Sequence, residues 1–254
     1  MAASELSEIL ASCGELDTNL TTILTLNARH LVAFEILREY VEVISQHGNA
    51  GFCFVAGNPV YLSEEEKQLD ARSRMREFVT DARTRLESTP IFIGSEGQLE
   101  LAVELSAKYA TIPFMLMSSS VQDQVSRALS NDACNSVGVY CPYLFSENGP
   151  NESQIETLGQ YALRRKWVKQ SLRRVGVKPS EVRTQITSGE RLAEPSRQIL
   201  IDAIRTLALC DIGDFHDRLR KFSSIGVRYL AFLSAVEDFD GWERFSDMLS
   251  SARS

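Results

Sequence analysis

The sequence lacks long apolar runs, paired cysteine motifs and an excess of positive charge. No apolar run approaches the roughly 18 residues that cross a bilayer, and Glu5 and Glu8 interrupt the segment where a signal peptide has its apolar core. The five cysteines among 254 residues include no Cys-x-x-Cys pair, which argues against a disulfide framework. With 27 Lys and Arg against 34 Asp and Glu, the net charge of −7 repels polyanions overall. We therefore expect a reduced, cytoplasmic protein outside the membrane.

Several motifs of catalytic and metal sites are also missing. Ser118–Ser120 lacks the Gly-x-Ser-x-Gly elbow of hydrolases, and Cys141 has no neighbouring His. His216 has no second His or Cys at the spacing of zinc ligands, so we expect no metal. No glycine-rich dinucleotide loop follows the first predicted strand, which weakens a Rossmann interpretation.

What the sequence does contain is a regular alternation of strand and helix patterns. Six segments rich in apolar residues, uncharged apart from Arg228 in the last, predict strands buried on both faces: Leu20–Leu26, Gly51–Gly57, Pro90–Gly94, Ile112–Met117, Ser136–Cys141 and Val227–Leu233. Helical spacing predicts the segments between and around them: Ala2–Gly14, Leu31–His47, Glu64–Leu86, Leu99–Tyr109, Val121–Leu129, Asp214–Ser224 and Gly241–Ala252. A helical stretch over about 152–209, broken near Gly176–Pro179 and Ser188–Pro195, precedes the last strand as an insertion.

This alternation predicts an α/β protein in which a parallel sheet is covered by outer helices. A doubly wound sheet and a (β/α)8 barrel both satisfy it, and a barrel requires eight strands where six are counted. We treat residues 1–254 as a single domain.

Two sequence blocks resemble the bacterial luciferase-like superfamily, in the correct order. Pro90-Ile-Phe-Ile-Gly-Ser-Glu-Gly97, with the helix that begins at Leu99, is similar to that family's strand, Gly-x-x-Gly loop and helix. Phe215–Phe232 is similar to its closing helix and strand. The members are TIM barrels that use FMN or the deazaflavin coenzyme F420, and the methylenetetrahydromethanopterin reductases are the most similar subgroup.

The resemblance implies a barrel without its first strand, first helix and second strand. These elements occupy on the order of 50 to 60 residues in a fold of this repeat length. The predicted fold class is therefore an incomplete (β/α)8 TIM barrel of about six parallel strands. Because open parallel edges are seldom tolerated in monomers, we expect a homodimer to cover the gap.

The carboxyl ends of the strands define the candidate site, because barrel enzymes bind their ligands there. The candidate cofactor contacts lie at three strand ends: Thr25, Leu26, Gly57, Asn58, Gly94, Ser95 and Gly97. The resemblance implies this role for the Gly94–Gly97 loop and for Thr25 and Leu26. Glu96 is the carboxylate that we name as the candidate acid or base. The structural alternative is a glycine turn between strand and helix for the Gly94–Gly97 loop, a plain strand end for Thr25 and Leu26, and a solvent-facing loop residue for Glu96. Arg29 and His30 resemble the family's Arg-His pair, and we interpret His30 as a cap or packed residue.

Six basic residues from Arg164 to Arg174 surround Trp167 without an intervening acid. Such a run binds phosphates in some proteins. Leu163, Trp167, Val168 and Leu172 form an inward stripe at helical spacing, which favours a solvated basic face over a nucleic-acid site.

Together these features indicate a luciferase-like oxidoreductase that transfers hydride, or acts as a monooxygenase, with FMN or F420 and a small-molecule substrate. The first alternative is a non-catalytic homologue that binds flavin or a protein partner. The second is a polyanion or nucleic-acid binder working through residues 164–174.

Overall fold

The computed structural model describes residues 7, 11, 22–47, 50–57, 62–95, 97–118, 120–132, 134–143, 150–208 and 212–234. Within these residues the strands are β1 Thr22–Asn27, β2 Ala50–Val55, β3 Ile91–Gly94, β4 Ile112–Leu116, β5 Val137–Tyr143 and β6 Val227–Ser234. They follow one another in the sheet in chain order. The predicted class is confirmed: the fold is α/β, an incomplete (β/α)8 TIM barrel of six parallel strands.

Ten helices are described alongside the strands. They are α1 Ala33–Gln46, α2 Glu64–Gln68, α3 Ala71–Arg85, α4 Leu99–Tyr109, α5 Val121–Leu129, α6 Glu152–Ala162, α7 Lys166–Arg174, α8 Pro179–Ser188, α9 Ser196–Leu207 and α10 Ile212–Ser224. The chain divides into two compact units, one of residues 1–116 and 124–138 and the other of residues 117–123 and 139–254. The assignment of residues 1–254 to a single domain stays a prediction.

In the first unit, one face of the sheet packs against helices α1, α3 and α4. Strand side chains alternate between faces, and Phe52, Phe54, Ile91 and Ile93 are buried on the helix side. The ring of Phe54 meets Phe78 of α3 edge-on, with centroids 5.5 Å apart. This core holds the ends of β1, β2 and β3 in register at one edge of the sheet.

The opposite face of the same strands carries a different set of side chains. The β1–β2 and β2–β3 registers pair Thr25 with Cys53 and Cys53 with Phe92. The β3–β4 register pairs Gly94 with Phe114, whose ring centroid lies 5.1 Å from that of Phe92. This face contains the exposed Thr25, so it is the face on which a ligand at the strand ends would lie.

The prediction of one helix over Glu64–Leu86 is wrong in one respect, because the structure contains two helices there, α2 and α3. Leu69 and Asp70 both have extended backbone angles, which ends α2. The carboxylate of Asp70 accepts a hydrogen bond from the N–H of Ser73 at 2.7 Å and caps α3. A capping aspartate inside an otherwise helical pattern therefore starts a new helix.

The second unit contains helices α6 to α9, which correspond to the predicted helical stretch over 152–209. Breaks occur near both predicted positions, with Gly189 in the left-handed conformation at the second. A further break at Leu163–Arg165 separates α6 from α7. The helices enclose a core that includes Ile155, Leu172, Val182 and Leu200.

Two predicted elements fall mainly or wholly outside the described residues. The first is the helix over Ala2–Gly14, of which Ser7 and Ala11 are described and helical. The second is the closing helix over Gly241–Ala252.

Candidate functional site

The predicted site residues of β1 divide between the two faces of the sheet. Leu26 is buried in the core on the helix side, whereas Thr25 is exposed on the opposite face. The side chain of Thr25 and the backbone of Gly94 are hydrogen-bonded to the Cys53 thiol, whose pKa burial raises to about 12. Of the two residues, Thr25 is therefore the one that a ligand on this face can reach.

The end of β2 is locked to the turn after β1. The guanidinium of Arg29 donates to the carbonyl oxygens of Ala56 at 2.7 Å and Gly57 at 3.1 Å. The side-chain oxygen of Asn27 accepts a hydrogen bond from the N–H of Arg29 at 3.0 Å. Gly57 has φ of +78°, and a Cβ there would lie 2.2 Å from the Asn27 amide. The space beside Cα of Gly57 is thus filled by Asn27, and the contact of Gly57 with a cofactor stays a prediction.

Gly94 and Ser95 at the end of β3 also pack closely against neighbouring strands. A Cβ at Gly94 would lie 2.8 Å from Cγ1 of Val55 on the neighbouring strand. Ser95 is 2% exposed, and both its hydroxyl and its N–H donate to the carbonyl of Phe114, at 3.1 Å and 2.9 Å. These two residues fix the start of the loop, and their contacts with a cofactor stay predictions.

Gly97 and Gln98 present the open part of this loop. A Cβ at Gly97 would meet no heavy atom of the described residues within 4 Å, and the φ of +69° suits glycine. Gln98 is the N-cap of α4 but makes no side-chain capping bond, and its buried Oε1 has no hydrogen-bond partner among the described residues. An uncapped helix N-terminus beside open space can bind a phosphate group. The unpaired Oε1 of Gln98 can accept a hydrogen bond from a hydroxyl or N–H group of a ligand. The loop therefore fits a phosphate-bearing cofactor.

An imidazole–carboxylate pair lies beyond the end of β1, where the sequence predicts His30 as a cap or a packed residue. His30 Nδ1 lies 3.0 Å from Oε1 of Glu66, which also accepts the N–H of Leu31 at 3.1 Å. Bonds from the backbone of Ser63, from His30 and from the backbone of Leu31 lower the pKa of Glu66 to about 2. Because an ionised carboxylate only accepts, the histidine nitrogen that faces it is the donor.

One sequence pattern identifies the position of Glu66, although it does not predict the contact with His30. Ser63-x-x-Glu66 is a capping-box pattern, and both of its bonds are present at the start of α2. The pattern places Glu66 at a helix N-terminus, but the contact with His30 spans 36 positions and is set by the fold. Arg74 reaches the same turn and donates to the carbonyl of Ala28 at 3.2 Å.

Two of the predicted site residues, Asn58 and Glu96, lie outside the described residues, so their roles stay predictions. Across the described part of the chain, no group of three His, Cys, Asp or Glu side chains is arranged to hold a metal ion. No described helix is both long and apolar enough to cross a bilayer.

The architecture and the loop at the end of β3 define the class of this protein, an incomplete (β/α)8 barrel with a candidate ligand loop at the carboxyl ends of its strands. Residues 16–236 match the model of a family of unknown function, DUF7388, and the chain belongs to that family. No curated protein sequence matches it.

Among solved structures, the fold is similar to that of an F420-dependent secondary alcohol dehydrogenase determined in complex with an F420-acetone adduct. The TM-score is 0.52 at 12% sequence identity, and the alignment covers 92% of this chain and 78% of the dehydrogenase chain. At this identity the likeness shows a shared fold and does not extend to activity.

Proposed function

We propose that this protein is a luciferase-like oxidoreductase that binds a deazaflavin of the F420 type, or FMN, at the carboxyl ends of its strands. It transfers hydride between that cofactor and a small organic substrate. The observation that carries the proposal is the loop at the end of β3, where Gly97 has open space and Gln98 leaves a helix N-terminus uncapped. The likeness to an F420-dependent dehydrogenase supports the choice of cofactor class.

The first turn of α4 would hold the cofactor phosphate. Backbone N–H groups at a helix start carry a partial positive charge and bind anions. Glu100 lies in this turn and would oppose an anion, but its carboxylate pairs with Arg127 of α5 at 2.9 Å. That ion pair offsets the negative charge at the helix start.

Gln98 and Thr25 would contact uncharged parts of the cofactor. The orphaned Oε1 of Gln98 accepts a hydrogen bond from a hydroxyl or N–H group, and forming it relieves the cost of a buried unpaired acceptor. Thr25 adds an exposed hydroxyl on the face away from the helices. When bound, the cofactor supplies the carbon that accepts or donates hydride.

A second candidate, a cofactor-binding protein without turnover, is favoured by the state of the polar groups beyond β1. The imidazole of His30 is held by Glu66, and the guanidinium of Arg29 is held by two backbone carbonyls. Both side chains are thus engaged in holding turns together. A binding module needs only the loop and the helix start.

Titration of the purified protein with F420 and, separately, with FMN tests the proposal, with absorbance and fluorescence as readouts. The matched variants are Gly97→Asp and Gly97→Asn, which have nearly the same shape and tolerate positive φ. A carboxylate placed at the phosphate costs about 1 kcal/mol or more, so Gly97→Asp weakens binding at least about fivefold relative to Gly97→Asn. Equal affinities for the two variants would remove the loop from the cofactor site.

Turnover separates the two candidates once binding is established. Bleaching of the bound deazaflavin on addition of secondary alcohols supports the oxidoreductase. Saturable binding with no redox change across a broad alcohol and aldehyde panel supports the binding module. The homodimer stays a prediction that sedimentation measures independently.

A further inference from the structure

Helix α7 places its apolar residues and its charges on opposite sides. Leu163, Val168 and Leu172 are buried in the core of the second unit, and Trp167 is partly buried against it. The predicted burial of this stripe is therefore confirmed, although Leu163 lies in the break before α7 and not on the helix itself. Arg165, just before the helix, is the exception among the cations, because it is buried with its guanidinium 4.6 Å from the ring centroid of Tyr161.

The outward side of the helix carries four cations, Lys166, Lys169, Arg173 and Arg174, which we call the α7 basic face. Lys166, Arg173 and Arg174 are exposed and Lys169 is half-buried. None of the four forms an ion pair with a carboxylate among the described residues. Helices α3, α5 and α9, in contrast, each contain an arginine within 3 Å of a glutamate oxygen.

We propose that the α7 basic face binds the phosphodiester backbone of a nucleic acid without reading its sequence. At 1.5 Å of rise per residue, Lys166 and Arg173 are about 10 Å apart along the helix axis. Duplex DNA presents one negative charge per roughly 1.7 Å of its axis, so several phosphates fall within that span. This inference is independent of the proposed cofactor chemistry.

The net negative charge of the chain does not oppose this contact at physiological salt. Residues 157–180 contain seven Lys or Arg and no Asp or Glu, whereas the whole chain carries −7. Ionic screening limits charge interactions to about 8 Å at 0.15 M salt. A bound phosphate therefore responds chiefly to the charges within about that distance and only weakly to the net charge of the whole chain.

A membrane surface is the other anionic partner to consider, and the packing of α7 disfavours it. Helices that lie on membranes insert an apolar face into the lipid. The apolar residues Val168 and Leu172 are fully buried in protein, and at this end of the helix Val175 is the exposed large hydrophobic residue. The surface therefore has exposed positive charge, which binding to phosphates requires, and no exposed apolar face that could insert into lipid.

Fluorescence anisotropy with a labelled 20-base-pair DNA duplex, measured from 50 to 200 mM salt, tests the proposal. Four phosphate contacts predict a slope of about −3.6 for log K against log salt, or roughly 10²-fold weaker binding across that range. The triple variant Lys166→Gln, Lys169→Gln, Arg173→Gln should reduce the magnitude of that slope by about 2.7. The matched control replaces the exposed Arg183, Arg191 and Arg205 of the same unit with glutamine.

Loss of binding in the α7 variant with retention in the control supports the proposal. Absence of salt-dependent binding, or equal losses in both triple variants, would overturn it. Binding to phosphatidylserine vesicles but not to the duplex would also overturn it and assign the surface to lipid. Circular dichroism should show that each variant remains folded, because the substituted positions are exposed or, for Lys169, half-buried.

Discussion

The imidazole of His30 and the carboxylate of Glu66 form a hydrogen bond of 3.0 Å that joins the turn after β1 to the first turn of α2. The carboxylate also accepts the N–H groups of Leu31 and Ser63, at 3.1 Å and 2.9 Å. Three donors on one carboxylate favour its ionised form, which explains a pKa near 2. This pair therefore connects the turn after β1 to the start of α2, at the carboxyl end of β1.

The depressed pKa of Glu66 predicts an acid-dependent loss of stability. Between its unfolded value of 4.5 and its folded value of about 2, the unfolded state binds more protons. The stabilisation is complete above about 4.5 and is lost as the pH falls toward 2. Urea unfolding of wild type and Glu66→Gln from pH 6 to pH 3 should show a difference that shrinks with acid. The control is Glu65→Gln, an exposed neighbour in α2, and a constant difference for Glu66→Gln would contradict the assignment.

Gly57 and Gly97 offer a matched pair for separating backbone strain from packing. Both have positive φ, but only at Gly57 would a Cβ clash, at 2.2 Å from the amide of Asn27. Gly97→Ala should cost about 1 kcal/mol from the left-handed backbone alone, and Gly57→Ala about 1–3 kcal/mol more. Urea unfolding measures both, and the extra cost should fall in an Asn27→Ala background. Equal costs at the two glycines would refute the role of Asn27.

The contact between Gly94 and Val55 predicts a compensating pair of substitutions. Gly94→Ala places a Cβ 2.8 Å from Cγ1 of Val55 and should destabilise the protein by about 1–3 kcal/mol through overpacking. Val55→Ala removes that methyl group and should recover much of this cost in the double variant. A double-mutant cycle measured by urea unfolding gives the coupling energy. Additive effects would show that the two residues do not touch.

Cys53 should be unreactive in the folded protein. Burial raises the pKa of its thiol to about 12, so almost no thiolate is present at pH 8.5. Alkylation with iodoacetamide followed by peptide mass spectrometry should label Cys53 in urea and leave it unlabelled in buffer. Equal labelling rates in the two conditions would contradict its burial between Thr25 and Phe92.

The sequence predicts the six strands because each is a short apolar run between turn residues, with Arg228 as the one charged residue among them, and this pattern depends on local chemistry. β3, for example, was predicted over Pro90–Gly94 and is observed over Ile91–Gly94. The division of the helix predicted over Glu64–Leu86 was missed because Asp70 reads as an ordinary polar residue within a helical pattern. Its capping role becomes visible only when the extended backbone of Leu69 is known.

The candidate site was predicted less completely, because its decisive features are non-local. The sequence placed Gly94, Ser95 and Gly97 in one loop, but it does not reveal that Val55 and Phe114 occupy the surroundings of the first two. The orphaned oxygen of Gln98 likewise depends on the burial of the loop. Nearest-neighbour chemistry predicts a loop, and tertiary packing decides which of its residues a ligand can reach.

Amide hydrogen exchange measured with and without F420 tests the central claim most directly, since it locates the cofactor without requiring a substrate. The account predicts slower exchange on binding in the peptide that covers residues 97–101, at the start of α4. Saturable F420 binding that leaves this peptide unchanged, with protection confined to other strand ends or to the helices, would contradict it.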